Sequence, residues 1–310
     1  MAFQSTDSGI AASVLLGLYT IYLGFTINII RNEGFRTIYT SLVIYGLVRV
    51  TGQACGIVFA ILGFDHSQWL IAYLVLGAEG YFVLVLTSYH LLANAQLYTV
   101  GTSWFRPSKA EIAERCEAAT TEFEYLRARL SPACIFHLIL IPANILVIIG
   151  GVELAGATNE PATHGKIQQA RILRTVGQAI FLAQTAIAVA FAFWCRFGEK
   201  IKHINVIAIL IVSPFILVRG IFGVLSIYLG KMDYFDMSNY NGSSIKGSFV
   251  AFEYALGTSM EFITAVVYIS TYYISRSRKR AQEKTSQDLE NVEVIDSSFS
   301  SEKYDSEHRG

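Results

Sequence analysis

Four charged side chains sit where charge is most expensive. Arg49, Glu79, Arg219 and Glu261 each fall near the middle of a long apolar stretch. At the centre of a bilayer an ionised group costs on the order of 3 kcal/mol, so these four must face the bundle interior rather than lipid. Two guanidiniums and two carboxylates at similar depth can neutralise in pairs. Glu261 lies about 18 Å below the outer end of its helix and Arg49 about 18 Å above the inner end of its own, at 1.5 Å per residue, so antiparallel helices bring them level. Polar residues extend the pattern along helix faces. Glu253, Gly257, Glu261, Thr264, Tyr268 and Tyr272 step by four, four, three, four and four, which places them on one face. Arg49, Gln53 and Gly56 form a second stripe, in which Gly52-x-x-x-Gly56 permits close helix approach. Glu79 and His90, eleven residues apart, share a third, and Gln178 and Gln184 add polarity to another span.

An interior stripe of this kind suits a polar ligand pocket, a proton relay or an acid–base site; it equally suits an ion-pair network that only fixes helix register. Arg49 and Arg219 are the expected counter-charges or anion anchors, with Glu79 and Glu261 as their partners or as protonatable switches. Gln53, Glu253 and Tyr268 complete the candidate site. Were the protein an enzyme, Glu79, Glu253 and Glu261 would be its acids and bases. The nearest such chemistry is an intramembrane terpene cyclase, in which a buried carboxylic acid protonates an epoxide or alkene. Other chemistries lack their residues. A retinal Schiff base needs a lysine deep in the last span, and none stands between Lys246 and Lys279. His90 and His137 are isolated in the sequence, and the remaining histidines fall in loops or tail, so no metal or other cofactor is expected. There is no P-loop, G-x-S-x-G or dinucleotide fingerprint, and none of the four cysteines is placed for a lumenal disulfide. A non-enzymatic protein is the favoured reading.

The elements that must position these residues follow from composition. The chain has 310 residues, 53% apolar and 15% charged, with 24 Lys and Arg against 24 Asp and Glu. An ordinary soluble domain carries about a quarter charged residues. Soluble globular enzymes and disordered scaffolds are thereby excluded, and zero net charge removes nucleic acid as a partner. Seven stretches are long enough to span a bilayer: 9–30, 37–62, 69–95, 133–154, 174–195, 204–229 and 249–274. Their length means helices rather than barrel strands. The fold class is all-α, a polytopic bundle of seven transmembrane helices. The first span has only Asp7 before it and no basic leader, unlike a signal peptide.

With the N-terminus outside and the C-terminus inside, seventeen Lys and Arg fall on the cytoplasmic side and five outside, namely Lys166, Arg171, Lys231, Lys246 and, at the outer end of its span, Arg174. The sequon Asn241-Gly242-Ser243 then lies on the lumenal side, making Asn241 the expected glycosylation site. Residues 1–275 are read as the membrane domain. Residues 276–310 are read as an unfolded cytoplasmic tail, opening on the cluster Arg276-Ser277-Arg278-Lys279-Arg280 and too poor in apolar residues to pack. In the third loop, Ser108 and Glu111 form a capping box. Ile112, Cys116, Ala119, Phe123, Leu126 and Leu130 continue as one amphipathic helix, stopped at Ser131-Pro132. It is expected to lie against the bundle or the headgroups, or to dock a cytosolic partner.

The run Ser213-Pro214-Phe215-Ile216-Leu217-Val218-Arg219-Gly220-Ile221-Phe222, with Ser259-Met260-Glu261-Phe262-Ile263 and Val267-Tyr268 after it, resembles a fungal seven-helix membrane family described as a domain of unknown function. Arg36 and Arg49-Val50-Thr51-Gly52 fit the same pattern. A looser likeness joins it to the fungal RTA-type lipid-translocating exporters, in which an Arg in helix six and a Glu entering helix seven recur. Arg219 and Glu253 take those places, although Tyr254-Ala255-Leu256-Gly257 lacks the Asp of that family's run. The resemblance implies a fungal source and seven spans, and brings no established activity. The expected function is a multi-pass protein of the plasma membrane or an endomembrane that binds, senses or translocates a lipid or small amphiphilic metabolite. A terpene cyclase and a seven-helix receptor are the alternatives.

Overall fold

The computed structural model describes residues 3–157, 164–242 and 244–307. Among these are seven helices long and apolar enough to cross a membrane, each overlapping one predicted stretch. The protein is an all-α, seven-span membrane protein. In chain order the helices are α1 (Thr6–Glu33), α2 (Thr40–Leu62), α3 (Gln68–Val100), α4 (Lys109–Glu117), α5 (Glu122–Arg129), α6 (Pro132–Ala157), α7 (His164–Phe193), α8 (Ile204–Tyr228), α9 (Gly247–Phe252) and α10 (Ser259–Glu307). A π-helical turn, Glu253–Thr258, joins α9 to α10, and another, Trp194–Gly198, comes after α7. The strands β1 (Tyr240–Asn241) and β2 (Ser244–Ile245) form a short antiparallel hairpin, Tyr240 opposite Ile245.

Small residues set how closely the rods approach. A Cβ at Gly150 would lie 2.6 Å from the Ala170 carbonyl, and one at Gly177 would lie 2.6 Å from that of Ala143, so α6 and α7 touch backbone to backbone. Gly52 and Gly56 of α2 instead receive side chains of α3, Leu76 and Tyr73, at 3.3 and 3.2 Å from an added Cβ. The glycine pair read from the sequence therefore does bring two helices together.

The two ends of the bundle are closed differently. On the side of the N-terminus, the hairpin folds back over the helix ends. Ile245 N donates to Ser5 Oγ (3.3 Å), and Ile245 packs with Cys55, Phe59, Leu70, Tyr73 and Phe249 in a buried cluster. At the opposite end, the segment after α3 turns inward. Phe105 is fully buried, stacks on Trp104 with 3.8 Å between ring centroids, and meets Tyr89 and Phe191 edge-on. Its carbonyl accepts from Tyr89 Oη and Ala133 N, both at 3.1 Å. Glu199 fastens the plug, accepting from Trp104 Nε1 and Gln96 Nε2, each at 2.7 Å.

The fold departs from the sequence expectations in its third loop and in its last and fifth spans. The third loop holds two short helices instead of one. Ser108 and Glu111 do form the capping box, but Thr121 caps a second helix by accepting from Glu124 N (3.2 Å). The Glu124 carboxylate accepts from Thr120 Oγ1 and N (2.8 and 3.0 Å), and these bonds hold it below the usual carboxylate range. Two threonines that prefer caps to helix interiors break the stripe. Neither α4 nor α5 buries a residue, and Phe123 is 74% exposed. The seventh helix likewise outruns its prediction. The chain divides into compact units 1–269 and 270–310, and in the second the backbone stays helical to Glu307 rather than unfolding after residue 275. Ala281, Gln282, Glu283 and Lys284 are strong helix formers, so local propensity sustains a helix that composition could not pack. Next, α7 begins ten residues before its predicted start at Arg174, because Ala170 is buried while Lys166 and Arg171 face outward. Asn241 of the sequon is exposed on the hairpin; Ser243 lies outside the described residues.

Phe105→Ala should remove the plug and lower stability by about 3–5 kcal/mol, whereas Phe123→Ala should change it by less than about 0.5 kcal/mol. Unfolding of the purified protein in detergent checks the contrast.

Candidate functional site

The deepest feature of the bundle is one carboxylate between two guanidiniums. Glu261 of α10 is 1% exposed. Arg219 Nε of α8 donates to its Oε1 at 2.5 Å, and Arg49 Nη2 of α2 pairs with its Oε2. Each member is placed by its own helix and then by neighbours. Arg49 fits because Gly80 of α3 has no side chain: a Cβ there would lie 2.8 Å from Arg49 Cζ. Arg49 Nη2 also donates to the Gly77 carbonyl at 3.3 Å. Arg219 lies over the Tyr81 ring, 4.9 Å from its centroid, and Tyr81 Oη bonds Thr185 Oγ1 at 2.7 Å.

The orientation of Glu261 depends on the π-turn. Its wider turn rotates α10 about the helix axis relative to α9, and it disturbs the regular ladder of carbonyls. The Thr258 carbonyl accepts from Tyr19 Oη of α1 (3.2 Å), which also bonds Tyr45 Oη of α2 (3.1 Å). The ion-paired cluster and its supports therefore draw on α1, α2, α3, α8 and α10.

Two cations on one anion leave an excess of positive charge, and Glu253, the first residue of the π-turn, balances it. Glu253 and Arg219 line one cavity of about 90 Å³, but among the described residues no ion pair joins them. Tyr73, Tyr234, Gln178 and Arg174 line the same space. Arg174 is paired with Asp233 at 3.5 Å and lies 4.8 Å from the centroid of the Phe235 ring. Gln178 is 8% exposed, and its Oε1 has no hydrogen-bond partner among the described residues. The gap thus lies between opposite charges that do not meet and beside an unanswered acceptor, on the N-terminal side of the bundle.

The arginines and Glu261 meet as their depths predict, while Glu79 does not join them. Its Oε1 accepts from Asn144 Nδ2 of α6 at 2.6 Å, because the α3 face that bears it turns toward α6 instead of α2. His90, on the same face, also meets α6. Its ring lies 5.6 Å from that of His137, so the two histidines that look isolated in the sequence are neighbours. Gln53 is buried and accepts from Tyr254 Oη at 3.4 Å. Tyr268 Oη bonds Ser88 Oγ at 2.6 Å. Arg174, counted from the sequence among outer cations, is a cavity residue. Gly80 makes room for one arginine and Tyr81 covers the other, yet neither carries a charge that marks it in the sequence; a glycine and a tyrosine level with an intramembrane arginine are the signal that could find them.

Residues 100–276, more than half of the chain, match the family described as Domain of unknown function (DUF7702). The chain belongs to that family. Arg219, Glu253 and Glu261 lie in the DUF7702 segment and Arg49 lies before it. No curated protein and no solved structure matches the chain.

Glu261→Gln would leave two buried guanidiniums without their anion and should cost about 3–5 kcal/mol. Glu79→Gln, which can still accept from Asn144, should cost less than about 1.5 kcal/mol. Thermal unfolding of both variants beside the wild type gives the comparison.

Proposed function

We propose that the protein binds a small polar or amphiphilic ligand in the cavity beside Arg219 and Glu253, and senses it or carries it across the membrane. The observation that supports this reading is the unpartnered Gln178 Oε1 facing a gap between unjoined charges. Polar groups left unpaired inside a bilayer are costly, and an occupant that bonds them recovers that energy. Two further features agree with carriage. In the orientation favoured by the Lys and Arg bias, the cavity belongs to the outer half of the bundle, while the Phe105 plug closes the cytoplasmic end. The likeness of Arg219 and Glu253 to the paired positions of RTA-type exporters favours a lipid or an amphiphile of a fungal membrane, plasma or internal. In the same orientation Asn241 is a lumenal glycosylation site, and the exposed third-loop helices meet headgroups or a cytosolic partner.

One observation favours a second reading, acid–base catalysis: the Glu253 carboxyl lines the cavity. In that case a bound compound would be found in converted and unconverted forms, and Glu253→Gln would leave only the latter.

Gly223→Ala tests the cavity. The added Cβ would collide with Gln178 Oε1, the far end of a flexible side chain, and would lie 3.2 Å from Arg219 Nη1, so Gln178 has to shift and the gap changes shape. Mass spectrometry of small molecules and lipids retained through purification should find a compound with the wild type that the variant loses. Identical spectra would contradict a ligand site here.

A further inference from the structure

Resting on the cavity as a ligand site, the charge pattern of its walls narrows the ligand's chemistry. We infer that the site takes a zwitterion, a compact group with an anion at one end and an ammonium at the other. The charges at the site are balanced. Arg49 and Arg219 are matched by Glu261 and Glu253, and Arg174 by Asp233. A ligand with net charge would leave an unmatched charge inside the membrane, which is strongly unfavourable. A neutral dipolar ligand avoids that penalty and still answers both poles of the gap.

The poles are separated by position. The Arg219 Nε is taken by Glu261, and its Nη1 lies beside Gly223, where Gln178 Oε1 also sits, an acceptor for a ligand N–H or O–H and not for its anionic oxygen. This is the anion end: a phosphate or carboxylate oxygen here meets a guanidinium already anchored from behind, so little side-chain freedom is lost on binding. The cation end is the Glu253 carboxylate, which shares the cavity lining with Tyr73 and Tyr234. An ammonium bonds the carboxylate and lies well against aromatic faces. Without a ligand, the two poles are kept from collapsing onto each other by placement on different helices, α8 and the π-turn before α10. The chemistry is shared by the head group of an ethanolamine phospholipid and by a free amino acid.

Isothermal calorimetry on the full-length protein in detergent distinguishes these cases with four probes. Glycerophosphoethanolamine and β-alanine carry both charges; glycerol 3-phosphate and ethanolamine carry one sign each. At least one zwitterion should bind about tenfold more tightly than either singly charged probe, the worth of one charge-assisted hydrogen bond. Tighter binding of glycerophosphoethanolamine assigns the site to a lipid head group, and tighter binding of β-alanine assigns it to a free amino acid. Glu253→Gln, which gives the walls net positive charge, should reverse the order in favour of glycerol 3-phosphate. The wild-type ranking stands as a test even if that variant folds poorly. Equal binding of a singly charged probe, or no binding of any of the four, would overturn the inference. A net-charged compound retained by the wild type and lost in Gly223→Ala would overturn it too while leaving the ligand site intact; a retained compound indifferent to Gly223→Ala would refute the site itself.

Discussion

Burying a carboxylate between two arginines in a membrane fixes far more than three side chains. Glu261 is almost wholly shielded, so its charge is tolerable only while Arg49 and Arg219 face it. Arg49 reaches it through space left by Gly80, and Arg219 reaches it across the ring of Tyr81. The π-turn sets the angle at which α10 presents the glutamate, and Tyr19 occupies a carbonyl of that turn. Lipid supplies no hydrophobic force between helices, so a polar knot of this kind selects one arrangement of α1, α2, α3, α8 and α10 from many that pack equally well.

The same knot creates the site. Three charges cannot balance, and the fourth, Glu253, sits eight residues before Glu261 across the π-turn. Its carboxyl lines a cavity instead of closing onto Arg219. Structural pairing and a candidate binding surface are thus two sides of one arginine: Nε holds the bundle together, and the rest of the guanidinium borders the gap. At the far end Phe105, held through Trp104 and Glu199, seals the bundle with aromatic rings rather than charges.

Depth, read from the sequence, is enough to find this centre, because helical rise converts position into height and the cost of a charge in lipid forbids an outward orientation. Rotation is harder. Arg49 and Glu261 have partners at matching depth, but so does Glu79, and only the turn of α3 toward α6 gives Asn144 that carboxylate. The Glu253–Tyr268 stripe assumes an unbroken α-helix, whereas a π-turn leaves no mark in hydrophobic periodicity. Arg174 looks like an end-of-helix cation because its partner, Asp233, is distant in sequence. In the third loop, Thr120 and Thr121 are legible as a cap, yet the apolar spacing from Ile112 to Leu130 runs straight through them. Past residue 275, apolar content governs packing and not local helix propensity, so absence of a core does not mean absence of helix.

A double-mutant cycle between Arg49 and Glu261 addresses the central interaction most directly. Stabilities of Arg49→Met, Glu261→Met and the double variant, measured in the same detergent, isolate the energy of the pair. A favourable coupling of about 2 kcal/mol or more is expected, with the double variant less impaired than the two single losses would sum to. Strictly additive losses would contradict a bundle organised around this carboxylate.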